Sequence, residues 1–167
     1  IVLHIIDVGV TDPKNIRLGN LELSTQTTAL HQPLDVSVSL HAIGLSGQRT
    51  LELTVEEANS TGPLVQGEKT ILPTSQTRGQ RLVDVNDERN PTTTFSLPQL
   101  PIGIHHGRIR LVDPDGLTAD NQRFFSFEVR DPWSVLVVAP KNVNTHLFTE
   151  ALSPQQEASR GNSSYNC

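Results

Sequence analysis

Cysteine occurs once in this sequence, methionine not at all, and tryptophan and tyrosine once each. A single Cys excludes an internal disulfide framework and any multi-cysteine zinc site, and leaves the redox compartment undetermined. Aromatic residues make up only 4% of the chain, a thin supply for a surface that must stack on sugar rings. No stretch approaches eighteen uninterrupted apolar residues, so this segment does not insert into a membrane. The opening residues have neither the basic nor the apolar region of a signal peptide. With Ile1 at one end and Cys167 in a polar stretch at the other, the sequence reads as a piece of a longer polypeptide.

Charge is modest and mixed. Eighteen acidic residues face thirteen Lys and Arg, a formal net of -5. The cations are scattered: Arg78, Arg81 and Arg89 in one region, Arg108 and Arg110 on one strand. A phosphate backbone selects a denser basic face, so nucleic acid is not the expected partner.

What the chain does contain is period-two alternation punctuated by turn residues. Leu34, Val36, Val38, Leu40 and Ala42 alternate with Asp35, Ser37, Ser39 and His41. Leu51, Leu53 and Val55 repeat the pattern, and Ser46-Gly47 marks a hairpin or a sheet-changing corner between the two runs. Ile109 and Leu111 alternate with Arg108 and Arg110, and Phe125, Phe127 and Val129 with Phe124, Ser126 and Glu128. Further strands are expected at 3–10, 15–24, 68–72 and 92–97. Seven or eight short strands of this kind fit an all-β, two-sheet antiparallel sandwich. Its expected core is Val36, Val38, Leu40, Leu51, Leu53, Val55, Phe95, Ile109, Leu111, Phe125 and Phe127. Pro98 and Pro101 mark a crossing from sheet to sheet. Residues 74–91 are polar and read as a long mobile loop, with at most a short strand at 82–85.

At Asp131-Pro-Trp133 the character changes. Residues 134–139 form a continuous apolar run of the kind that parallel strands bury on both faces. His146, Leu147, Phe148, Ala151 and Leu152 then follow at helical spacing, and residues from 153 onward read as frayed. Strand, loop and helix in this order begin a βαβ unit. The expected organisation is therefore a sandwich at 1–131 and the start of an α/β domain at 132–167. An apolar strand without its sheet is expected to pack, with its helix, on the sandwich or on a second copy, giving a tail-mediated dimer. Trp133 is expected to cover the end of the sandwich core or dock a neighbouring domain.

Three segments carry a resemblance: Leu3-His-Ile-Ile-Asp-Val-Gly-Val10, Leu97-Pro-Gln-Leu-Pro-Ile-Gly-Ile-His-His-Gly107 and Asp113-Pro-Asp-Gly-Leu-Thr-Ala-Asp-Asn-Gln-Arg-Phe-Phe125. Together they resemble the immunoglobulin-like segment, akin to the bacterial cell-adhesion-related (CARDB) domain, of large membrane-anchored proteins of the aerotolerance-regulator type. That resemblance implies an immunoglobulin-like sandwich between a von Willebrand factor A-type domain and an amidotransferase-like α/β domain. It also implies a cell-envelope location, with the side of the membrane open. It carries no catalytic residue onto this chain.

Candidate chemistry is sparse. Asp113, Asp115, Asp120 and Asn121 place several oxygens in one loop, as calcium requires. Yet Gly116 comes too early for an EF-hand loop and its closing bidentate Glu is absent. The loop is read instead as an Asp-Gly hairpin with solvated acids, and no metal is assigned. His105 and His106 are neighbours on a strand and must face opposite sides. His4, His31, His41 and His146 are dispersed without zinc-ligand spacing. Neither a nucleophile elbow nor a phosphate-binding glycine loop occurs. Asn59 and Asn162 begin chance-level matches to a glycosylation pattern. No cofactor is expected. The function read from the sequence is a non-catalytic structural or protein-interaction module, its partners a protein or the neighbouring domains of the parent chain. The alternatives are a carbohydrate-binding sandwich and an accessory fragment of an enzyme whose catalytic domain lies outside this chain.

Overall fold

The computed structural model describes residues 9, 11–58, 64–67, 69–71, 73–86, 89–98, 100–113, 115–160 and 163–167. It is a two-sheet sandwich with immunoglobulin-like strand order. Strands β1 (Asn15–Leu23), β2 (Thr27–Ala29), β3 (Leu34–Ile43), β4 (Gly47–Glu56), β5 (Leu64–Gln66), β6 (Lys69–Ile71), β7 (Ser75–Val85), β8 (Thr92–Leu97), β9 (Gly103–Leu111) and β10 (Gln122–Arg130) follow in order. One sheet has the order β1-β3-β8 and the other β2-β10-β9-β4-β7, while β5 and β6 form a separate small hairpin. The strand expected at 3–10 lies outside the described residues apart from Gly9, as do His4, Asn59 and Asn162.

Alternation decides which residues go inside. On β3, Leu34, Val36, Val38, Leu40 and Ala42 are buried while their neighbours are not. Every expected core residue is buried, joined by Ile16, Leu18, Val83, Val85, Leu97, Leu100 and Val129. A Leu or Ile taken fully out of water contributes roughly 1.5–3 kcal/mol, so the two facing apolar surfaces dominate the stability of the sandwich. Gly107 serves this packing directly. It pairs with Phe125 across β9 and β10, and a Cβ there would collide with the Phe125 ring.

Two of the sheet-to-sheet crossings lie where turn chemistry puts them. Between β3 and β4 the chain changes sheets, so this turn is a corner and not a hairpin. Gly44, at φ +62, sits where a Cβ would strike the Pro13 carbonyl. Residues between β8 and β9, including Pro98 and Pro101, make the second crossing.

Several expectations are corrected. Residues 75–85 are not a loop: they form the eleven-residue strand β7, paired with β4 along its length. At the sheet edge it buries only Val83 and Val85, so the usual apolar signal is missing from most of it. Second, the apolar run 134–139 is not a strand buried on both faces. Only Trp133–Ser134 (β11) enters a ladder, parallel to Tyr165–Asn166 (β12), and among the described residues no other strand pairs with the run. Leu136 and Val138 are 89% and 83% exposed. Helix α1 (His146–Leu152) falls where the spacing placed it, but Leu147 and Phe148 are exposed, so this tail does not pack onto the sandwich. Nor is 153 onward merely frayed. Helix α2 (Gln155–Ser159) follows, and Ser163 Oγ donates to the Tyr165 carbonyl, helping to set β12. Trp133 is half exposed, with the Arg130 guanidinium 5.8 Å from its ring centre, and does not cap the core.

Candidate functional site

The outward face of the five-stranded sheet gathers the polar side chains that alternate with the core. On β9 these are His106, Arg108 and Arg110; on β4, Glu52, Thr54 and Glu56; on β10, Gln122, Phe124 and Ser126. Pairing register sets their neighbours. Arg110 lies opposite Glu52, and its Nε donates to Glu52 Oε1 at 2.7 Å while Gln80 Nε2 donates to Oε2 at 3.0 Å. The Gln80 bond, then the Arg110 bond, hold the Glu52 carboxyl below the ordinary carboxylate range. His106 Nδ1 and Ser126 Oγ are 2.8 Å apart.

Between these two satisfied pairs stands Arg108, flanked in register by Thr54 and Phe124. It forms no salt bridge among the described residues, though its charge also lowers the Glu52 carboxyl. Phe124 is 69% exposed. A groove of about 520 Å³ lies over this part of the face, lined by Thr54, Glu56, Pro73, Ser75, His106, Arg108, Gln122, Phe124 and Ser126. An exposed ring beside a guanidinium that no described carboxylate pairs can stack, donate several hydrogen bonds and hold an anionic group. No residue here combines nucleophile, base and oxyanion donors. One sequence signal pointed to this place. Phe124 and Phe125 are adjacent on a strand, so one ring of the pair had to face outward.

The two adjacent histidines divide as strand geometry requires. His105 is buried, its ring stacked on Phe127 at 5.0 Å, and its Nε2 donates to the Pro101 carbonyl at 2.8 Å.

In the β9–β10 loop the acids are not solvated as the sequence reading had them. Asp113 Oδ2 accepts the Thr50 amide at 2.6 Å. Asp115 accepts the Ile16 amide at 2.9 Å on one oxygen, and the Asn121 side chain at 2.6 Å and the Leu117 amide at 3.2 Å on the other. Asp120 Oδ2 accepts from Asn15 Nδ2 at 2.9 Å. These carboxylates tie the hairpin to β1 and β4. Among the described residues no group of three His, Cys, Asp or Glu could hold a metal ion, and Cys167 is exposed. Nor is any helix among them long and apolar enough to cross a membrane.

No protein-family model matches the chain, and no curated protein matches its sequence. Solved structures do match. The CARDB domain of a Pyrococcus furiosus protein, solved in complex with di-metal ions, aligns with a TM-score of 0.54 at 8% identity, over 72% of this chain and 97% of that one. The chain has a CARDB-like fold. A β-glucosidase from Erythrobacter marinus matches at 0.52 and 15% identity over 70% of this chain, and an alkylpurine DNA glycosylase from Pseudomonas fluorescens, bound to DNA, at 0.51 and 10% over 69%. This chain spans only 16% and 30% of those two enzymes. At such identities the likeness is one of fold, and catalysis by the larger enzymes does not carry over to a CARDB-like sandwich.

Proposed function

We propose that this chain is a non-catalytic interaction module whose ligand face is the outward side of the five-stranded sheet, centred on Phe124 and Arg108. The observation that carries the reading is their juxtaposition: a ring 69% exposed lies in register with a guanidinium that no described side chain pairs. Aromatic and arginine side chains are the residues on which protein interfaces concentrate their binding energy. The partner is a protein, or a neighbouring domain of a longer envelope-associated chain, and the segment 132–167 is the beginning of an α/β neighbour. The resemblance to CARDB-type segments supports this placement.

A second reading is favoured by the same ring. Phe124 is flanked by His106, Arg108, Gln122 and Ser126 around one groove, an arrangement that suits an acidic sugar stacked on the ring and bonded at its edges. Replacing Phe124 with a photo-crosslinking phenylalanine analogue separates the two. In the cells that make the protein, irradiation is expected to give one discrete protein adduct, lost when Arg108→Ala is added, and a glycan array is expected to stay blank. Glycan binding that depends on Phe124, with no adduct, establishes the second reading. Neither signal would mean that this face is not a ligand surface.

A further inference from the structure

Two exposed apolar patches of the molecule are alike in make-up and opposite in charge. One is the groove over the five-stranded sheet, where Phe124 lies in register with Arg108. On that face Arg110 pairs with Glu52 and Arg130 with Glu128, each at 2.7 Å. Arg108 has no such carboxylate among the described residues. The other patch is helix α1, where Leu147 is 83% and Phe148 55% exposed. By helical spacing Leu147 and Ala151 stand in line, with Phe148 on one side of them and Glu150 on the other. Glu150 forms no salt bridge among the described residues either. One of its oxygens accepts the Gln155 amide at 3.3 Å, a long bond.

We propose that the groove is filled by helix α1 of a second copy of this chain. Leu147 and Phe148 lie against Phe124 and Pro73, and the Glu150 carboxylate takes the Arg108 guanidinium. The inference rests on the outward face being the ligand surface, and it names the partner. The groove, at about 520 Å³, is within the range that holds a drug-sized molecule and so admits a pair of side chains. Leaving water, the two apolar side chains supply the attraction, and a charge-assisted carboxylate–guanidinium pair fixes the orientation. Each chain carries both halves of the contact. Two copies about a twofold axis therefore make it twice, and each contact raises the effective concentration for the other. A surface of this size gives a weak dimer that dissociates on dilution.

The test uses the purified full chain with a photo-crosslinking phenylalanine analogue in place of Phe124, as a mixture of isotopically heavy and light protein. Irradiation is expected to join heavy chains to light ones, with the linked peptide inside residues 146–152. Glu150 lies outside the core, so Glu150→Arg leaves the sandwich folded. It is expected to lower the dimer yield about tenfold, and adding Arg108→Glu should restore it. Should Arg108→Glu disturb the sheet face, Leu147→Ser on the tail serves, with the yield expected to fall as far. A linked peptide elsewhere, links confined to single chains, or a yield unmoved by Glu150→Arg and Leu147→Ser would overturn the proposal. A purified chain that gives no dimer, while the same analogue captures a different protein in cells, rules out the second copy and leaves the ligand face standing. No adduct in either setting removes both.

Discussion

Phe127 lies against two rings, stacked with His105 at 5.0 Å and with Phe125 at 6.0 Å, and is 3% exposed. Both neighbouring rings are themselves buried. Phe127→Ala is therefore expected to destabilise by about 3–5 kcal/mol in a denaturant titration, and a loss under about 1 kcal/mol would contradict its place in the core. At this scale much was legible in the chain. Val36, Val38 and Leu40, like Phe125 and Phe127, announce their faces through period-two alternation, because burial acts on each residue of a strand in turn. The polar contacts were not legible. Asp115 meets Ile16 and Asp113 meets Thr50 across separations of 99 and 63 residues, and no local pattern encodes which distant amide a carboxylate will accept. Arg108 and Phe124 stood in the same position, since only the β9–β10 register makes them neighbours.

Among the elements, β4, β7 and β9 are joined outside the core by Gln80, Glu52 and Arg110. Glu52 is the charged centre of that ladder, and its carboxyl lies below the ordinary carboxylate range because the Gln80 and Arg110 bonds favour the ionised form. A depressed folded-state value contributes stability that is present above the unfolded carboxylate range and is lost as pH falls through the folded value. Glu52→Gln is therefore expected to cost about 1 kcal/mol at neutral pH, with the gap to the unsubstituted chain closing as pH falls through the folded value. Denaturant titrations across that window provide the check. An unchanged gap would assign the loss to packing instead. The ladder also explains why the sequence of β7 resembles a loop. Its residues serve β4 through backbone bonds and polar side chains, and as an edge strand it carries Arg78 and Arg81, charges of the kind that discourage further pairing. The run 134–139 errs in the opposite direction: it has strand composition, but among the described residues only its start is paired, with β12, and composition alone does not make a ladder.

For the molecule as a whole, the core ends at Val129 in sequence, and no described residue of the tail belongs to it. A version ending at Asp131 is expected to melt within about 2 °C of the full chain, since apolar burial sets the stability. We further propose that the tail drives association. Leu136, Val138 and Leu147 are each more than 80% exposed, and apolar strands and helices left bare tend to find a second copy. Light scattering at high concentration should give a dimer for the full chain and a monomer for the shortened one. Two monomers would end the idea.

The short strand β2 gives the sandwich a mechanical property. It runs parallel to β10, with Thr27, Thr28 and Ala29 in register with Glu128, Val129 and Arg130. The Leu30 amide donates to the Arg130 carbonyl at 2.8 Å and the Glu128 amide to the Gln26 carbonyl at 3.0 Å. Tension entering ahead of β2 and leaving after β10 pulls these two parallel neighbours in opposite directions along their own axes. The load then falls on the bonds between them together, as a shear, instead of peeling them apart one at a time. A domain wired in this way transmits force between whatever is joined to its two sides before it yields, so it can act as a tensile link as well as a surface.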